Sequence, residues 1–405
     1  MVRRLVCLLP LAVACSSPGG ATTSVGWTGD GTDGGTVASD DDGGAPAPGA
    51  GDAGADAPAG PPLTTIRVHY PAGSHVISLR ASVPPWSWSA GAAMTAGPGE
   101  TWTLTTAAVT APFEFKPLLD DQAWSLGPNY RASPGATVDV YPRFMQQNGQ
   151  YSRAYDFASQ ILGNTRGIWI YLPPTYLENT LARMPVVYMH DGQNLFDPAY
   201  AFNGTTWQAS QAIDGGANDG SIAEAILIGI ENTADRISEY TPVPDPTQSP
   251  SGGDGEKYLQ MILQELKPKI DHDLRTIPDR AHTFMIGSSL GGLISAYAGV
   301  AHADVFGGIG AMSPSTWWDG DWLVGDVGMT PATPRPLRVY VDSGDSGPSN
   351  DDVTDTASLA AEYQTLGYAK GSTLDYVVQA GGQHSETYWA QRLPGALAFL
   401  LGPGR

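Results

Sequence analysis

The stretch HTFMIGSSLGGLISAYAGV, residues 282–300, decides the fold. It runs from an apolar segment through a glycine-flanked serine pair into apolar residues at helical spacing. A nucleophile on a sharp strand-to-helix turn needs residues with almost no side chain two positions before and two positions after it. Ser289 has Gly287 and Gly291 at those positions, and Ser288 has no such glycines. The stretch therefore predicts that Ser289 is a nucleophile at a strand–turn–helix tip.

From residue 151 to 405, apolar strand-like segments alternate with segments of helical spacing, which is typical of a mostly parallel sheet covered on both faces. The predicted strands are RGIWIYLPP (166–174), MPVVYMHDG (184–192), EAILIGIEN (224–232), HTFMIGSSLGG (282–292), FGGIGAMSPS (306–315), LRVYVDSGD (337–345) and LDYVVQAGGQHS (374–385). The predicted helices are EKYLQMILQELKPKIDHDL (256–274), LGGLISAYAGVAHA (290–303), TASLAAEYQTLGY (356–368) and SETYWAQRLPGALAFLLG (385–402). The fold class predicted for this part is α/β, of the α/β-hydrolase type.

A serine nucleophile needs a base, and in this architecture the chain order is serine, acid, histidine. Only His302 and His384 follow Ser289. His302 ends the helix that the nucleophile begins, too far along it to fold back onto the turn. His384 follows the last predicted strand, so it is predicted to be the general base.

The acid of the triad is expected just after the strand segment LRVYVDSGD, where a carboxylate can orient the imidazole. Asp345 is the first choice because it sits directly past the strand end. Asp352 is the next choice, and Asp351 occupies the same loop, while Asp342 falls inside the strand. The choice among the three loop carboxylates stays open at this point.

Attack on a carbonyl creates an oxyanion that needs preorganised N–H donors. The backbone amide of Leu290, at a helix N-terminus, is one expected donor, and that of Gln193 in the loop after MPVVYM is the other. A metal site at His190, Asp191 and Asp197 is the alternative for that loop, but the triad explains the chemistry without metal. No cofactor is expected.

Residues 63–146 carry short alternating segments such as TTIRVHY (64–70) and APFEFKPLL (111–119), interrupted by Pro and Gly. They predict a separate β-sandwich domain ahead of the α/β domain. Its tryptophans could stack on sugar rings, although packing in the core is the commoner role of such aromatic residues. The residues concerned are Trp86, Trp88, Trp102 and Trp124.

The N-terminal segment 1–15 has a basic start, a short apolar stretch and small residues before Cys15, which predicts an export signal with a lipobox-like end. Residues 16–62 consist mainly of Gly, Ala, Ser, Thr, Pro and Asp and are expected to form a flexible acidic linker. The two cysteines, Cys7 and Cys15, both lie in the signal region. The net charge of −20 argues against nucleic acid as a partner. The expected location is the cell envelope, through a lipid on Cys15, or else a secreted or periplasmic protein.

The segments NTRGIWIYLPPTY, VVYMHDGQNLFDP, GIENTADRISEYTP, FGGIGAMSPSTWW and GGQHSETYWAQRLPGALAFL, together with the nucleophile region, resemble the putative esterase family. That family includes enterochelin and feruloyl esterases, S-formylglutathione hydrolases and mycolyltransferases, and the resemblance covers about residues 159–401. Residues 63–146 resemble starch-binding-like or early-set immunoglobulin-like modules. The resemblance implies that a set of polar residues helps to shape the site, either by contacting substrate or by holding a loop. These pocket candidates are Asp191, Asn232, Arg236, Glu239 and Tyr240.

The expected function is hydrolysis of a carboxylic ester by an acyl-enzyme mechanism, on a feruloyl- or acetyl-carbohydrate or on a siderophore-type ester. The alternatives are a glycan-binding surface lipoprotein with an inert hydrolase scaffold, and an acyltransferase. The loops at 196–219 and 241–253 are expected to shape the pocket. The sequence indicates neither the substrate nor the oligomeric state.

Overall fold

The computed structural model describes residues 62–329 and 338–404. The predicted signal segment, with its Cys15, and residues 16–61 of the predicted linker lie outside the described residues. Among the helices that are described, none is both long enough and apolar enough to cross a bilayer.

The N-terminal part of the described chain is built from short strands in two sheets. These strands are β1 (Thr64–His69), β2 (Ile77–Ala81), β3 (Ala92–Ala93), β4 (Thr95–Gly97), β5 (Thr101–Thr106), β6 (Phe113–Leu119), β7 (Ala123–Trp124), β8 (Tyr130–Ala132) and β9 (Thr137–Val140). One sheet has the order β4-β5-β1-β9, and the other has the order β3-β2-β6-β7 with β8 also paired to β6. Alternate residues of β1 and β6, such as Ile66, Val68 and Phe115, are fully buried and pack in a shared core.

The following part of the chain forms one eight-stranded sheet of order β10-β11-β13-β12-β14-β15-β16-β17. Its strands are β10 (Gln150–Ala158), β11 (Thr165–Leu172), β12 (Val186–His190), β13 (Ile226–Ile230), β14 (Thr283–Ser289), β15 (Gly308–Pro314), β16 (Arg338–Gly344) and β17 (Leu374–Gln379). The β10–β11 and β11–β13 pairs are antiparallel, and the other pairs are parallel. The predicted α/β-hydrolase fold with a mostly parallel sheet is confirmed.

Helices cover both faces of this sheet. They are α1 (Pro174–Glu178), α2 (Ala209–Asp219), α3 (Arg236–Glu239), α4 (Gly255–Met261), α5 (Lys267–Asp273), α6 (Leu290–Ala301), α7 (Trp322–Met329), α8 (Val353–Thr365) and α9 (Glu386–Leu401). A π-helical turn, Ile262–Leu266, joins α4 to α5. The predicted loop 196–219 is partly wrong, because its last eleven residues form α2. The sequence pattern does not indicate this helix because two glycines lie at its centre. One of them, Gly216, allows close packing against Ile222.

The central strands are buried on both faces, which explains why they read as continuous apolar runs. All residues of β12, β13 and β15 are buried. Because β12 and β14–β17 are parallel, their carboxyl ends meet at one edge of the sheet. The segments that follow these strands therefore lie together, and all the predicted catalytic residues belong to them.

Candidate active site

Ser289 lies at the sharp turn between β14 and α6, with φ 58° and ψ −128°. This backbone region is strained for a residue with a side chain, and such strain is found at functional sites. A Cβ on Gly287 would lie 2.6 Å from the carbonyl oxygen of Gly291, and one on Gly291 would lie 3.1 Å from the Cβ of His190. The chain can therefore make this turn only with glycine, or something almost as small, at both flanking positions.

The Ser289 hydroxyl is half-buried at the carboxyl edge of the sheet and lies against a second hydroxyl. Its Oγ is 3.3 Å from the Oγ of Ser315, and the Ser315 amide donates to the Ser289 carbonyl at 3.1 Å. The ladder between β14 and β15 shifts register here, so that Ser289 pairs with Pro314. This bulge brings the segment after β15 next to Ser289.

His384 follows β17 and lies at the same edge of the sheet. Its Nδ1 is 2.7 Å from Oδ1 of Asp351, and its ring packs edge-on against Trp389 with 5.0 Å between ring centroids. One third of the His384 side chain is exposed, whereas that of Asp351 is fully buried. Because Nδ1 faces the carboxylate, Nε2 is the ring nitrogen left free of that contact and is the one that a general base would use.

The prediction that Asp345 orients the histidine is wrong in this geometry. Asp345 is exposed, and its Oδ1 accepts a hydrogen bond from the amide of Gly381 at 2.7 Å. Asp352, the second choice, is the N-terminal cap residue of α8. Of the three loop carboxylates, Asp351 is the one that contacts His384. The chain makes a turn after Asp345 before it brings a carboxylate beneath the imidazole.

The carboxylate of Asp351 is held in its ionised form. Burial alone would raise its pKa, but hydrogen bonds from His384, Ser313 and the Gly344 amide outweigh burial and lower the pKa. An ionised carboxylate at Nδ1 fixes the imidazole tautomer and stabilises the imidazolium that forms when Nε2 takes a proton. Geometry and charge therefore fit the acid of a serine–histidine–acid triad.

The two predicted oxyanion donors belong to neighbouring segments. Leu290 is the first residue of α6, so its amide has no carbonyl partner within the helix. Gln193 lies in a 3₁₀ turn, Gly192–Asn194, directly after β12, which pairs with β14. The side chain of Gln193 accepts from the amide of Asn232 at 3.2 Å. The role expected of Gln193 therefore concerns its backbone amide.

The five pocket candidates belong to two ionic groups, one half-buried and one buried, that brace the segments next to this loop. Asp191 makes a two-pronged pair with Arg236, with both N···O distances at 2.8 Å, and accepts from the side-chain amide of Asn232 at 2.6 Å. The hydroxyl of Tyr240 accepts a hydrogen bond from the Asp191 amide at 3.2 Å. These contacts hold Asp191 at a left-handed φ of 54°, one residue before the 3₁₀ turn.

Glu239 belongs to the second ionic group and is only 2% exposed. Arg166 donates to both of its carboxylate oxygens, at 2.6 and 3.0 Å, and the side-chain amide of Asn164 donates at 2.6 Å. Its contacts therefore link α3 to β11. For this residue the structure favours the loop-holding role over contact with substrate.

His190 packs as a neutral ring against the turn that carries Ser289, next to Gly287 and Gly291. Burial lowers its pKa to about 3, and its Nδ1 lies 2.9 Å from the hydroxyl of Tyr258. The alternative metal site does not match these contacts, because Asp191 pairs with Arg236 and Asp197 accepts from the Ala199 amide. Within residues 62–329 and 338–404, no group of three His, Cys, Asp or Glu side chains is arranged to hold a metal ion.

Three residues at this edge were not singled out from the sequence: Ser313, Ser315 and Arg392. Ser313 and Ser315 follow the apolar strand segment ahead of a tryptophan pair, a pattern with no simple chemical interpretation. Arg392 had a readable signal, because it stands one turn after Trp389 on the apolar stripe of α9. A lone charged residue on a buried stripe indicates a buried ion pair.

Comparisons with known proteins identify the family of this chain. The family model described as "Putative esterase" matches residues 159–400. The YbbA protein of Bacillus subtilis is 29% identical over 253 residues, which are 60% of this chain and 95% of that protein. Iron(III) salmochelin esterase of Escherichia coli is 29% identical over 187 residues, covering 45% of this chain and 40% of that protein. A solved ferulic acid esterase aligns with a TM-score of 0.49 and 22% identity, over 63% of this chain and 98% of its own. This chain belongs to the putative esterase family and is a carboxylic ester hydrolase.

Proposed function

We propose that this chain cleaves its ester through a covalent acyl-enzyme on Ser289, with His384 as general base and Asp351 as the acid that orients it. One observation carries the proposal. The strained serine and the His384–Asp351 pair both stand at the carboxyl ends of adjacent parallel strands, β14 to β17. This is the placement that serine hydrolysis on a parallel sheet requires.

In the proposed cycle, Ser289 Oγ attacks the ester carbonyl carbon while its proton passes to Nε2 of His384. The backbone amides of Leu290 and Gln193 donate to the oxyanion of the tetrahedral intermediate. The imidazolium, stabilised by Asp351, then returns the proton to the leaving alcohol. Water attacks the acyl-enzyme in the same way, with His384 again accepting the proton.

The test is Ser289→Ala, with Ser288→Ala as the matched control. We expect Ser289→Ala to lower the turnover of a short p-nitrophenyl ester by at least about 10³-fold and to abolish labelling by a fluorophosphonate probe. Ser288 is buried one residue earlier and lacks the flanking glycines, so its replacement should retain labelling. Thermal unfolding checks that both variants fold. A Ser289→Ala variant that still turns over ester at the wild-type rate would refute the proposal.

For the substrate, we propose a siderophore-type ester or a feruloyl- or acetyl-carbohydrate. The similarity to iron(III) salmochelin esterase supports the siderophore-type ester. Trp317, two residues after Ser315, is 38% exposed and is available to stack on an aromatic acyl group. Purified residues 63–405 should be assayed against catecholate, feruloyl and acetyl esters. The values of kcat/KM would rank the three esters as substrates. Transfer of the acyl group to an added sugar, in excess of hydrolysis, would instead indicate an acyltransferase.

The second candidate function is binding of glycan by the N-terminal β-strands. Trp88 and Trp124 are each 38% exposed, and their ring centroids lie 6.1 Å apart. Trp86 and Trp102, in contrast, are partly buried and pack against the core. A tilted, exposed tryptophan pair can stack on a sugar ring. Affinity electrophoresis in polysaccharide gels should show retardation that Trp88→Ala together with Trp124→Ala removes. Glycan retardation without fluorophosphonate labelling would favour a binding protein over an enzyme.

We propose export of the chain, with lipid attachment at Cys15 and secretion as the alternative. The sequence of residues 1–15 supports this proposal. Mass spectrometry of the protein from its native host should detect a lipidated cysteine as the new N-terminus. Cys15→Ala should then move the protein from the membrane fraction to the soluble fraction.

A further inference from the structure

The side of Asp351 that faces away from His384 is held by a buried polar group. Oδ1 accepts from His384, while Oδ2 accepts from the hydroxyl of Ser313 at 2.7 Å and from the amide of Gly344. Rotation of the carboxylate would break all of these bonds at once. The orientation of the acid toward the imidazole therefore depends on what fixes Ser313.

Ser313 stands near the end of β15, is fully buried, and adopts a φ of 38°, which is unfavourable for a residue with a side chain. Its Oγ accepts two hydrogen bonds, from Nη2 of Arg392 at 2.6 Å and from Nε1 of Trp389 at 3.0 Å. A hydroxyl has one proton and two acceptor positions. Because both acceptor positions are filled, the proton of Ser313 is directed to Asp351.

Arg392 of α9 connects these elements through one guanidinium that is almost fully buried. Besides Ser313, it donates from Nη1 to Oε1 of Gln379, the last residue of β17, at 2.9 Å. Its Nε is 3.1 Å from Oδ1 of Asp342 in β16, and its Nη2 is 3.5 Å from Oδ2 of Asp351. Asp342 in turn accepts from the Ser313 amide at 3.1 Å. The guanidinium thus joins β15, β16 and β17 behind the candidate acid.

The charges of this group do not balance while His384 is neutral. Asp351 and Asp342 are two buried carboxylates, and Arg392 is the guanidinium that lies between them. Protonation of the imidazole supplies the second positive charge next to Asp351. The carboxylate that Arg392 and Ser313 hold is thus the one beside which the imidazolium of the proposed mechanism would form.

We propose that Arg392 and Ser313 are positioning residues for the reaction at Ser289: they hold Asp351 so that Oδ1 faces His384, and they act on the nucleophile only through that carboxylate. This inference rests on the proposed function, and it goes beyond it by assigning roles to two residues outside the triad. A group that acts through another should lose its effect when the intermediary is removed.

The test compares Arg392→Met and Ser313→Ala in the wild-type background and in the Asp351→Asn background. In the wild-type background, we expect each variant to lower kcat by about 10- to 100-fold, since a small misplacement of a catalytic group has effects of this size. KM for a short ester should change by less than about threefold, because neither residue faces the substrate. In the Asp351→Asn background, each should add less than about a threefold further loss.

Two further variants separate positioning from general stability. Arg392→Lys keeps the charge but not the planar fork, so it should recover part of the kcat that Arg392→Met loses. Arg338→Met is the matched control, because Arg338 also joins β16 to α9, through the carbonyls of Phe399 and Leu400, away from Asp351. It should keep kcat within about twofold of wild type, even where thermal unfolding shows lost stability.

Equal losses from Arg392→Met in both backgrounds, or equal losses from Arg338→Met and Arg392→Met, would overturn the positioning role. Fluorophosphonate labelling separates this failure from failure of the proposed function, because it needs no knowledge of the substrate. Absence of labelling in the wild type refutes the function itself. Wild-type labelling rates in folded Arg392→Met and Ser313→Ala refute the positioning role alone.

Discussion

Two arginines form ionic groups among the segments at the carboxyl edge of the sheet. Arg236 is half-buried and Arg392 is almost fully buried, and their pairings differ. On the oxyanion side, Arg236 matches one carboxylate, Asp191, with two bonds of 2.8 Å. On the side of the candidate acid, Arg392 lies between two carboxylates, Asp342 and Asp351, and makes a two-pronged pair with neither. The first arrangement is balanced in charge, and the second has one negative charge to spare.

This difference indicates what each group does. Because the pair between Arg236 and Asp191 is balanced in charge, a further proton would not stabilise it. Its contacts instead hold the backbone beside the 3₁₀ turn that carries Gln193. In the proposed mechanism His384 takes up a proton beside Asp351, so the unbalanced group lies where that positive charge would form. We therefore expect the Arg236 group to hold the loop geometry and the Arg392 group to support the proposed proton transfer.

The largest expected effect comes from removing the negative charge of Asp351 beside the imidazole of His384. Asp351→Asn should lower kcat by about 10⁴-fold, as loss of the triad carboxylate does in serine proteases. Asp345→Asn is the matched control in the same loop, and it should keep nearly full activity because its carboxylate binds the Gly381 amide. Steady-state kinetics on a p-nitrophenyl ester measures both. A larger loss from Asp345→Asn than from Asp351→Asn would reverse the assignment of the acid.

Breaking the pair between Arg236 and Asp191 should mainly reduce the stability of the folded state. Arg236→Met leaves the buried carboxylate of Asp191 without its cation, which should reduce the free energy of unfolding by about 3 kcal/mol. Asp191→Leu combined with Arg236→Met removes both charges, and it should recover part of that loss. Urea unfolding followed by tryptophan fluorescence measures the difference. If the double variant is less stable than Arg236→Met, the charge explanation fails.

The group around Arg392 should give a pH dependence of stability opposite in sign to that of the Arg236–Asp191 pair, because the pKa of Asp342 is raised whereas that of Asp191 is lowered. Burial raises the pKa of Asp342 to about 6, despite the opposing attraction of Arg392. The folded state therefore holds this proton more tightly than the unfolded chain, and the stability this adds is complete below about pH 4 and lost as the pH rises through 6. Relative to wild type, Asp342→Asn should gain on the order of 2–3 kcal/mol of unfolding free energy between pH 4 and 7. Parallel stability curves for the two proteins would contradict this.

The smallest effect is expected at Gln193, where the proposed donor is a backbone amide. Gln193→Ala keeps that amide and removes only the side-chain contact with Asn232, so kcat should fall by less than about tenfold. Asn232→Ala, which removes one hydrogen bond to Asp191, serves as the control for loosening of the loop. A loss of about 10³-fold in Gln193→Ala would instead indicate that its side chain acts in the transition state.

The sequence by itself determined the fold class, and it singled out Ser289 and His384 as the predicted nucleophile and base. Two glycines at fixed distances leave one possible nucleophile, and the order of elements leaves one histidine, because both arguments depend only on local backbone geometry and on chain connectivity. The continuous apolar runs of the central strands likewise follow from burial on both faces.

Only the tertiary structure decided which carboxylate meets His384. Three successive residues, Asn350 to Asp352, have φ near 50°, and this irregular turn brings Asp351 rather than Asp345 beneath the imidazole. No periodic pattern encodes such a turn. The pairing of Arg236 with Asp191 and of Arg392 with Ser313 joins residues 45 and 79 positions apart, so it exists only once the sheet brings them together. Hydrogen-bond geometry between distant segments is a property of packing, and local sequence does not specify it.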